Sequence, residues 1–479
     1  MFRNYGGDFM KELKVLVSFL ILIFSYSKAN DDPVFKSEID VHEKDVFSSE
    51  GQYPLGDSNI NIQDIINDDR NIFSPSNVKF PQLDSMYVPP SNVYDEIAKQ
   101  LAGLYISDNQ LNNPIYIDYA RFVDAEWKKL SDISLSKIED WSSKNIMPHI
   151  KDSETLFYPF GGPDIAYALK FFPRMQNYIL VGLEPIGNFE DIKQSIKHES
   201  AILALKQAIS QYLRKGYFIT SQMMTQLSDR RLKGALCLIL IELVKIGYTI
   251  DLIEDISISP EGHEVLRQKG MVDCVKVVFK STQEGTSQNV YYMRTNLCNY
   301  NQKLSHVINF VKRFSFVTLI KSASYVLHDK VASQIKDFIL QNTKAVLQDD
   351  TGIPFHNFDA KWEKNIFGIY TQPTLPIFKA YRQQNLSNYY ATRETTNIGF
   401  KIGYGFDQGR PNLLLAVPTY REIIQQMQNL KSEDTSQECP CKRKESVPEK
   451  KDSNVETIVS EQNEATDGYK KSLTKLLSF

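Results

Sequence analysis

The amino-acid sequence predicts an α/β fold, with a mainly parallel, Rossmann-like sheet covered by helices on both faces, an antiparallel portion and a helical N-terminal cap. Two observations carry this expectation. From Thr155 onward, short runs rich in β-branched and aromatic residues alternate with segments whose apolar residues recur every three or four positions, the pattern of strands joined by crossover helices. Between about residues 91 and 150 the periodicity is helical only. Helical crossovers return each strand in the direction of the one before, which makes a sheet parallel.

In chain order, the first feature is the apolar run Val15–Phe24, preceded by Lys11 and Lys14 and followed by Ser27-Lys28-Ala29. A basic start, a short apolar core and small residues at −3 and −1 describe a secretory signal peptide over residues 1–29. The core is about half of the 20 or so residues that a helix needs to cross a bilayer. Cleavage after Ala29 is therefore expected, with an uncleaved membrane anchor as the alternative, and Met10 serves as well as Met1 for a start. Residues 30–90, rich in Asp, Asn, Ser and Pro, read as an extended leader. Export would separate the remaining chain from cytosolic nucleotide cofactors.

The cap, residues 91–150, contains helical patterns over Val93–Leu104, Tyr119–Leu130 and Leu135–Ile146, with Trp127 and Trp141 as packing anchors. The α/β domain, residues 151–430, begins with a strand at Thr155–Phe160, a helix at Asp164–Phe172 and a strand at Tyr178–Glu184. Ala201–Leu213 has one apolar face, whereas Leu232–Ile246 is apolar nearly all round, which marks a buried helix. Tyr248–Ile253 is strand-like, and Val272–Lys280 with Asn289–Cys298 form a hairpin. The helix Gln302–Val311 leads to a strand at Phe316–Ile320, and the helix Val331–Leu340 to a strand at Ala345–Gln348. Ile398–Tyr404 and Asn412–Val417 read as closing strands joined by a turn. Residues 431–479 are a polar, mixed-charge tail. Leu473, Leu476 and Leu477 recur at helical spacing near its end, a frayed terminus or a weak membrane or partner contact.

Composition limits the function classes. Of 479 residues, 42% are apolar and 11% aromatic, enough for a large core. A balance of 55 Lys+Arg against 58 Asp+Glu argues against a general nucleic-acid surface. Five cysteines are too few and too scattered for a disulfide-built scaffold. A hairpin turn centred on Glu284-Gly285 sets Cys274 opposite Thr295 and leaves Cys298 on the other face, so a Cys274–Cys298 bridge is not expected. Cys439 and Cys441 lack a second cysteine pair and make no zinc site alone.

Two blocks carry candidate chemistry. In the first, a strand runs into Gly161-Gly162-Pro163-Asp164, a helix follows, and the next strand ends at Glu184. Free amides at such a helix start can hold a phosphate, and an acid about 20 residues on can hold a ribose. The G-x-G-x-x-G pattern is absent, Pro163 removes an amide donor, and Asp164 places negative charge at the helix start. The competing reading is a tight turn with an N-capping aspartate.

The second block, Gln348-Asp349-Asp350-Thr351-Gly352-Ile353-Pro354-Phe355-His356, begins at a strand end, with Asp359 just beyond. Asp349, Asp350, His356 and Asp359 suit an acid/base group or a divalent cation, or else a capped, solvated loop. If the blocks form one site, Gly162, Glu184, Asp349 and Asp350 share the carboxyl edge of one sheet. Ser324 and His328, four residues apart in Lys321-Ser322-Ala323-Ser324-Tyr325-Val326-Leu327-His328, are a weaker pair.

The runs Tyr158–Asp164, Gly182–Gly187, Leu347–Pro354 and Phe367–Tyr370 resemble those of a family of uncharacterised exported bacterial proteins, over about residues 95–417. That resemblance implies export and no particular activity. The first block is also similar to the opening of S-adenosylmethionine-dependent methyltransferases, which would make Glu184 the ribose-binding acid. Together these features lead to an exported, soluble binding or envelope-associated protein that takes an unknown small ligand, with no cofactor expected. The alternative is an enzyme, either a hydrolase on Asp349, Asp350 and His356 or a cofactor-dependent transferase.

Overall fold

A computed structural model describes residues 90–419 apart from 106, 108–109, 111, 151–152, 216–233, 282–284, 375 and 405–408. The expected signal peptide, leader, charged tail and Cys439/Cys441 lie outside the described residues.

Three helices open the described chain: α1 (Val93–Leu101), α2 (Pro114–Leu130) and α3 (Ser136–Asn145). Asn92 caps α1 by accepting from the amides of Tyr94 and Asp95, and Asn113 caps α2, where Pro114 needs no amide partner. Then follow β1 (Thr155–Tyr158), α4 (Ile165–Phe171), β2 (Asn177–Gly182), α5 (Phe189–Ser195), α6 (Glu199–Lys215) and α7 (Leu236–Ile246). Gly247 ends α7 in a left-handed conformation. The strands β3 (Tyr248–Ile258), β4 (Glu264–Leu266), β5 (Val272–Ser281) and β6 (Ser287–Arg294) lead to α8 (Leu304–Val311), β7 (Phe316–Ile320), α9 (Ser333–Asn342) and β8 (Val346–Gln348). β9 (Trp362–Gly368), α10 (Gln384–Ala391) and β10 (Asn412–Pro418) complete the order.

All ten strands form one sheet in the order β4-β3-β5-β6-β2-β1-β7-β8-β10-β9. Its centre, β6-β2-β1-β7-β8, is parallel throughout. Both flanks are antiparallel, β4-β3-β5-β6 on one side and β8-β10-β9 on the other. The expectation of a mainly parallel sheet is thereby corrected to a mixed one. The reason is local: strands joined by a short turn, such as β5 and β6, must reverse, and only a longer crossover can restore direction.

Alternation along the central strands builds two cores. Leu156, Tyr158, Tyr178, Leu180, Val317 and Leu319 face the layer of α1–α4, α6 and α7. Phe157, Ile179, Val181, Phe316 and Ile320 face the layer containing α8, α9 and α10. Strands buried on both faces read as continuous apolar runs, which is why they are visible in the sequence. The N-terminal helices join the first layer: Trp141 meets Phe171, Phe367 and Phe400 edge-on.

Ile398–Tyr404 is not a strand. Ile398, Phe400 and Ile402 are buried in the core, and the partner of β10 is instead β9. In the hairpin Cys274 stands opposite Met293 rather than Thr295, because the turn lies one residue nearer the start of the chain. Cys237, Cys274 and Cys298 are all free and buried.

Candidate functional site

The parallel centre carries the ends of β1, β2, β7 and β8 to one carboxyl edge. Gly162, Glu184, Asp349 and Asp350 follow those ends, so the two sequence blocks share that edge. The order reverses at β1: β2 lies on one side and β7 on the other. Open α/β sheets place ligands outside such a reversal.

The turn after β1 is closed by the chain itself. Gly162 has φ +56°, and its amide donates to the Val181 carbonyl at 3.2 Å. A Cβ on Gly182 would come within 2.5 Å of Glu184 Oε2, 2.6 Å of the Tyr292 hydroxyl and 2.9 Å of Gly162 Cα. The missing side chain therefore lets the turn pack on β2 around the buried Glu184 carboxylate, which accepts from the Tyr292 hydroxyl at 3.0 Å. Burial, then the Glu184 charge, drives the Tyr292 hydroxyl well above its ordinary range. Gly162→Val, forcing a β-branched residue into the left-handed region, is expected to cost about 1–2 kcal/mol. A urea midpoint equal to that of the parent protein would show that this backbone freedom is not needed.

Asp164 occupies the N-cap position of α4 but makes no side-chain cap bond. This corrects the capping expectation. Its Oδ2 accepts from the Tyr158 hydroxyl at 2.9 Å and from Lys321 Nζ at 2.8 Å. The Lys321 and Asp164 side chains are 2% and 1% exposed, so the pair is sealed from water. Lys321 Nζ also lies 3.8 Å from the centre of the Tyr167 ring, a cation–π contact. The start of α4 is satisfied from α7, where Glu242 Oε2 accepts from the Ala166 amide at 2.6 Å. The place where a doubly wound fold would seat a phosphate is thus filled with carboxylates and the lysine that neutralises one of them.

Tyr158 joins the two blocks. Its hydroxyl is pushed well up by burial and then by the charges of Asp164 and, more weakly, Asp349. Asp349 is buried. Its Oδ2 accepts from the Ser322 amide at 2.8 Å, and its Oδ1 from the amide and hydroxyl of Thr351. Asp350 accepts from the Tyr325 hydroxyl and from Asn412 Nδ2 at 2.9 Å. Burial and the neighbouring Asp350 raise the Asp349 carboxyl to about 6 against the donated hydrogen bonds. Burial raises Asp350 as well.

These carboxylates hold a strained turn at the end of β7. Ser322, Ser324 and Tyr325 have φ of 53°, 51° and 60°, a conformation costing about 1–2 kcal/mol per non-glycine residue. The Thr351 hydroxyl accepts from the Ala323 amide. Tyr404 donates to the Ser322 carbonyl at 2.8 Å and meets Ser324 Oγ at 3.0 Å. Ser322 Oγ is shielded with no partner among the described residues. Over-determined strain of this kind concentrates at ligand sites.

His356 does not join the aspartates. It is exposed in the short helical turn Phe355–Asn357 and makes no hydrogen bond to either among the described residues. Its charge, after burial, helps depress His328 to about 4. Ser324 and His328 share no helix, because Ser324 and Tyr325 are left-handed and helical geometry begins at Val326. Asp359 is exposed and accepts from the Lys361 amide. Among the described residues no group of three His, Cys, Asp or Glu side chains is placed to hold a metal ion, and no helix is long and apolar enough to cross a membrane.

Sequence reasoning missed the partnership of Asp164 with Lys321 and the roles of Tyr158 and Tyr404. Glu242 carried one signal, a lone carboxylate inside an apolar helix. No protein-family model matches the chain, and no curated protein matches it either.

Proposed function

We propose that the protein is an exported, soluble small-ligand-binding or envelope-associated protein, built on a Rossmann-like core that does not use a cytosolic nucleotide cofactor. The order β6-β2-β1-β7-β8 follows the 3-2-1-4-5 order of doubly wound sheets. β10 stands between β8 and β9 and runs antiparallel to both. The observation that carries the reading is the buried Asp164–Lys321 pair at the strand reversal, which spends the cofactor position on an internal contact. The strained Ser322–Tyr325 turn supports a ligand elsewhere on the same edge. A hydrolase on Asp349, Asp350 and His356 has less support, since His356 stands apart and Asp349 is buried and already accepts three internal hydrogen bonds.

Calorimetry with S-adenosylmethionine and with NAD is expected to show no binding. Micromolar binding that Glu184→Ala removes would restore the transferase reading. N-terminal sequencing of protein from the extracytoplasmic fraction is expected to begin at Asn30, and native mass spectrometry of that material to reveal a small bound molecule. A cytosolic chain with its first 29 residues intact would remove the case for export.

A further inference from the structure

We propose that Arg294 anchors an oxyanion of the ligand, a carboxylate or a phosphate, at the carboxyl end of β6. This rests on the binding reading above and adds the chemical class of the ligand. Arg294 is the last residue of β6 and stands beside Gly182, the last of β2, so it lies on the edge that carries both sequence blocks. Strand alternation puts it on the face of Tyr292, whose hydroxyl reaches Glu184 and feels the Arg294 charge.

The other charged groups described along this edge are already served. Glu184 has Tyr292, Asp164 has Tyr158 and Lys321, Asp349 has Ser322 and Thr351, and Asp350 has Tyr325 and Asn412. Arg294 alone among them makes no hydrogen bond or ion pair with the described residues. Its Nε is shielded without a partner, while its Nη atoms are not among the shielded ones. Its direct cross-strand neighbour, Asp273, leans instead toward Arg267 at 3.7 Å. A half-buried guanidinium with its terminal nitrogens open presents a fork that fits two oxygens of a carboxylate or phosphate. The carboxylates of this edge are turned inward onto their own donors, so the unpaired guanidinium is the group left to select an anion.

The test uses the full chain, with inorganic phosphate and succinate as separate probes. The Arg294 Nε–Hε resonance, assigned by its loss in Arg294→Lys, should shift saturably with at least one probe. The same probe should raise the melting temperature. Response to phosphate alone marks a phosphorylated ligand, and response to succinate alone a carboxylate. Arg294→Lys should weaken binding about tenfold by losing the fork. Arg294→Met should abolish it, with a melting temperature at or above that of the parent protein because a shielded, unpaired donor is removed. The proposal fails if neither probe moves the resonance, or if Arg294→Met binds as the parent does. A small molecule retained in native mass spectrometry and bound equally by Arg294→Met would sink the anion assignment while leaving the binding reading intact.

Discussion

Lys321→Met should destabilise the folded chain by about 3–5 kcal/mol, the cost of leaving one member of a buried ion pair alone. Methionine nearly matches the length of lysine and can still cover the Tyr167 ring, so the change isolates charge from packing. What remains is the Asp164 carboxylate, 1% exposed, which keeps the bond from the Tyr158 hydroxyl. A carboxylate held out of water without its cation keeps its desolvation cost and loses the attraction that offset it. The double variant Asp164→Asn/Lys321→Met should recover most of the loss. An asparagine can keep the Tyr158 bond through its carbonyl, and no charge is then buried. Urea denaturation of the parent, both single variants and the double variant gives the coupling energy directly. A cost below about 1 kcal/mol for Lys321→Met, or a double variant no better than the single, would show that the pair does not hold β1 to β7.

The same pair shows where the sequence stops being legible. The strands β1, β2, β7 and β8 and the helices between them could be read because each is buried on both faces and bounded by glycine or polar turns. The two candidate blocks were legible for the same reason, since turn chemistry is local. The Asp164–Lys321 contact is not local: its members are 157 residues apart (321 − 164), and only the reversal of strand order at β1 brings them together.

β9 shows a different failure. Its first half, Trp362-Glu363-Lys364-Asn365, is polar because it forms the sheet edge, with one side facing water. Ile398-Gly399-Phe400-Lys401-Ile402 alternates as a strand should and buries its apolar residues. It packs its side chains without joining the ladder, apart from the nearby bridge Phe367–Thr396. Alternation reports which side chains are buried, not which backbone groups are paired.

Asp349→Asn and Asp350→Asn should part company, although the sequence alone gives the two neighbours equal standing. Asp349 receives three donated hydrogen bonds on its two oxygens. An asparagine has one acceptor oxygen, so whichever way its amide turns, its NH2 confronts the Ser322 amide or the Thr351 donors. A buried donor left unpaired costs about 1–3 kcal/mol, and here the strained Ser322 also loses its restraint, so the upper end is expected. Asp350 accepts from Tyr325 and Asn412, and the Tyr325 hydroxyl can turn round to accept from the new amide. Asp350→Asn should therefore cost under about 1 kcal/mol.

The sign of the pH dependence separates the two further. The Asp349 carboxyl sits at about 6 when folded against an ordinary 3.8. Its contribution to stability is thus fully present below about pH 4 and lost as pH rises through 6. The penalty of Asp349→Asn should consequently be larger at pH 4.5 than at pH 7.5, where the parent protein has already given up that contribution. Urea midpoints for both variants at the two pH values provide the check. Equal penalties at both pH values would mean that Asp349 does not hold its proton in the folded state. A large loss in Asp350→Asn would mean that Tyr325 is fixed as a donor, with Asp350 rather than Asp349 holding the strained turn in place.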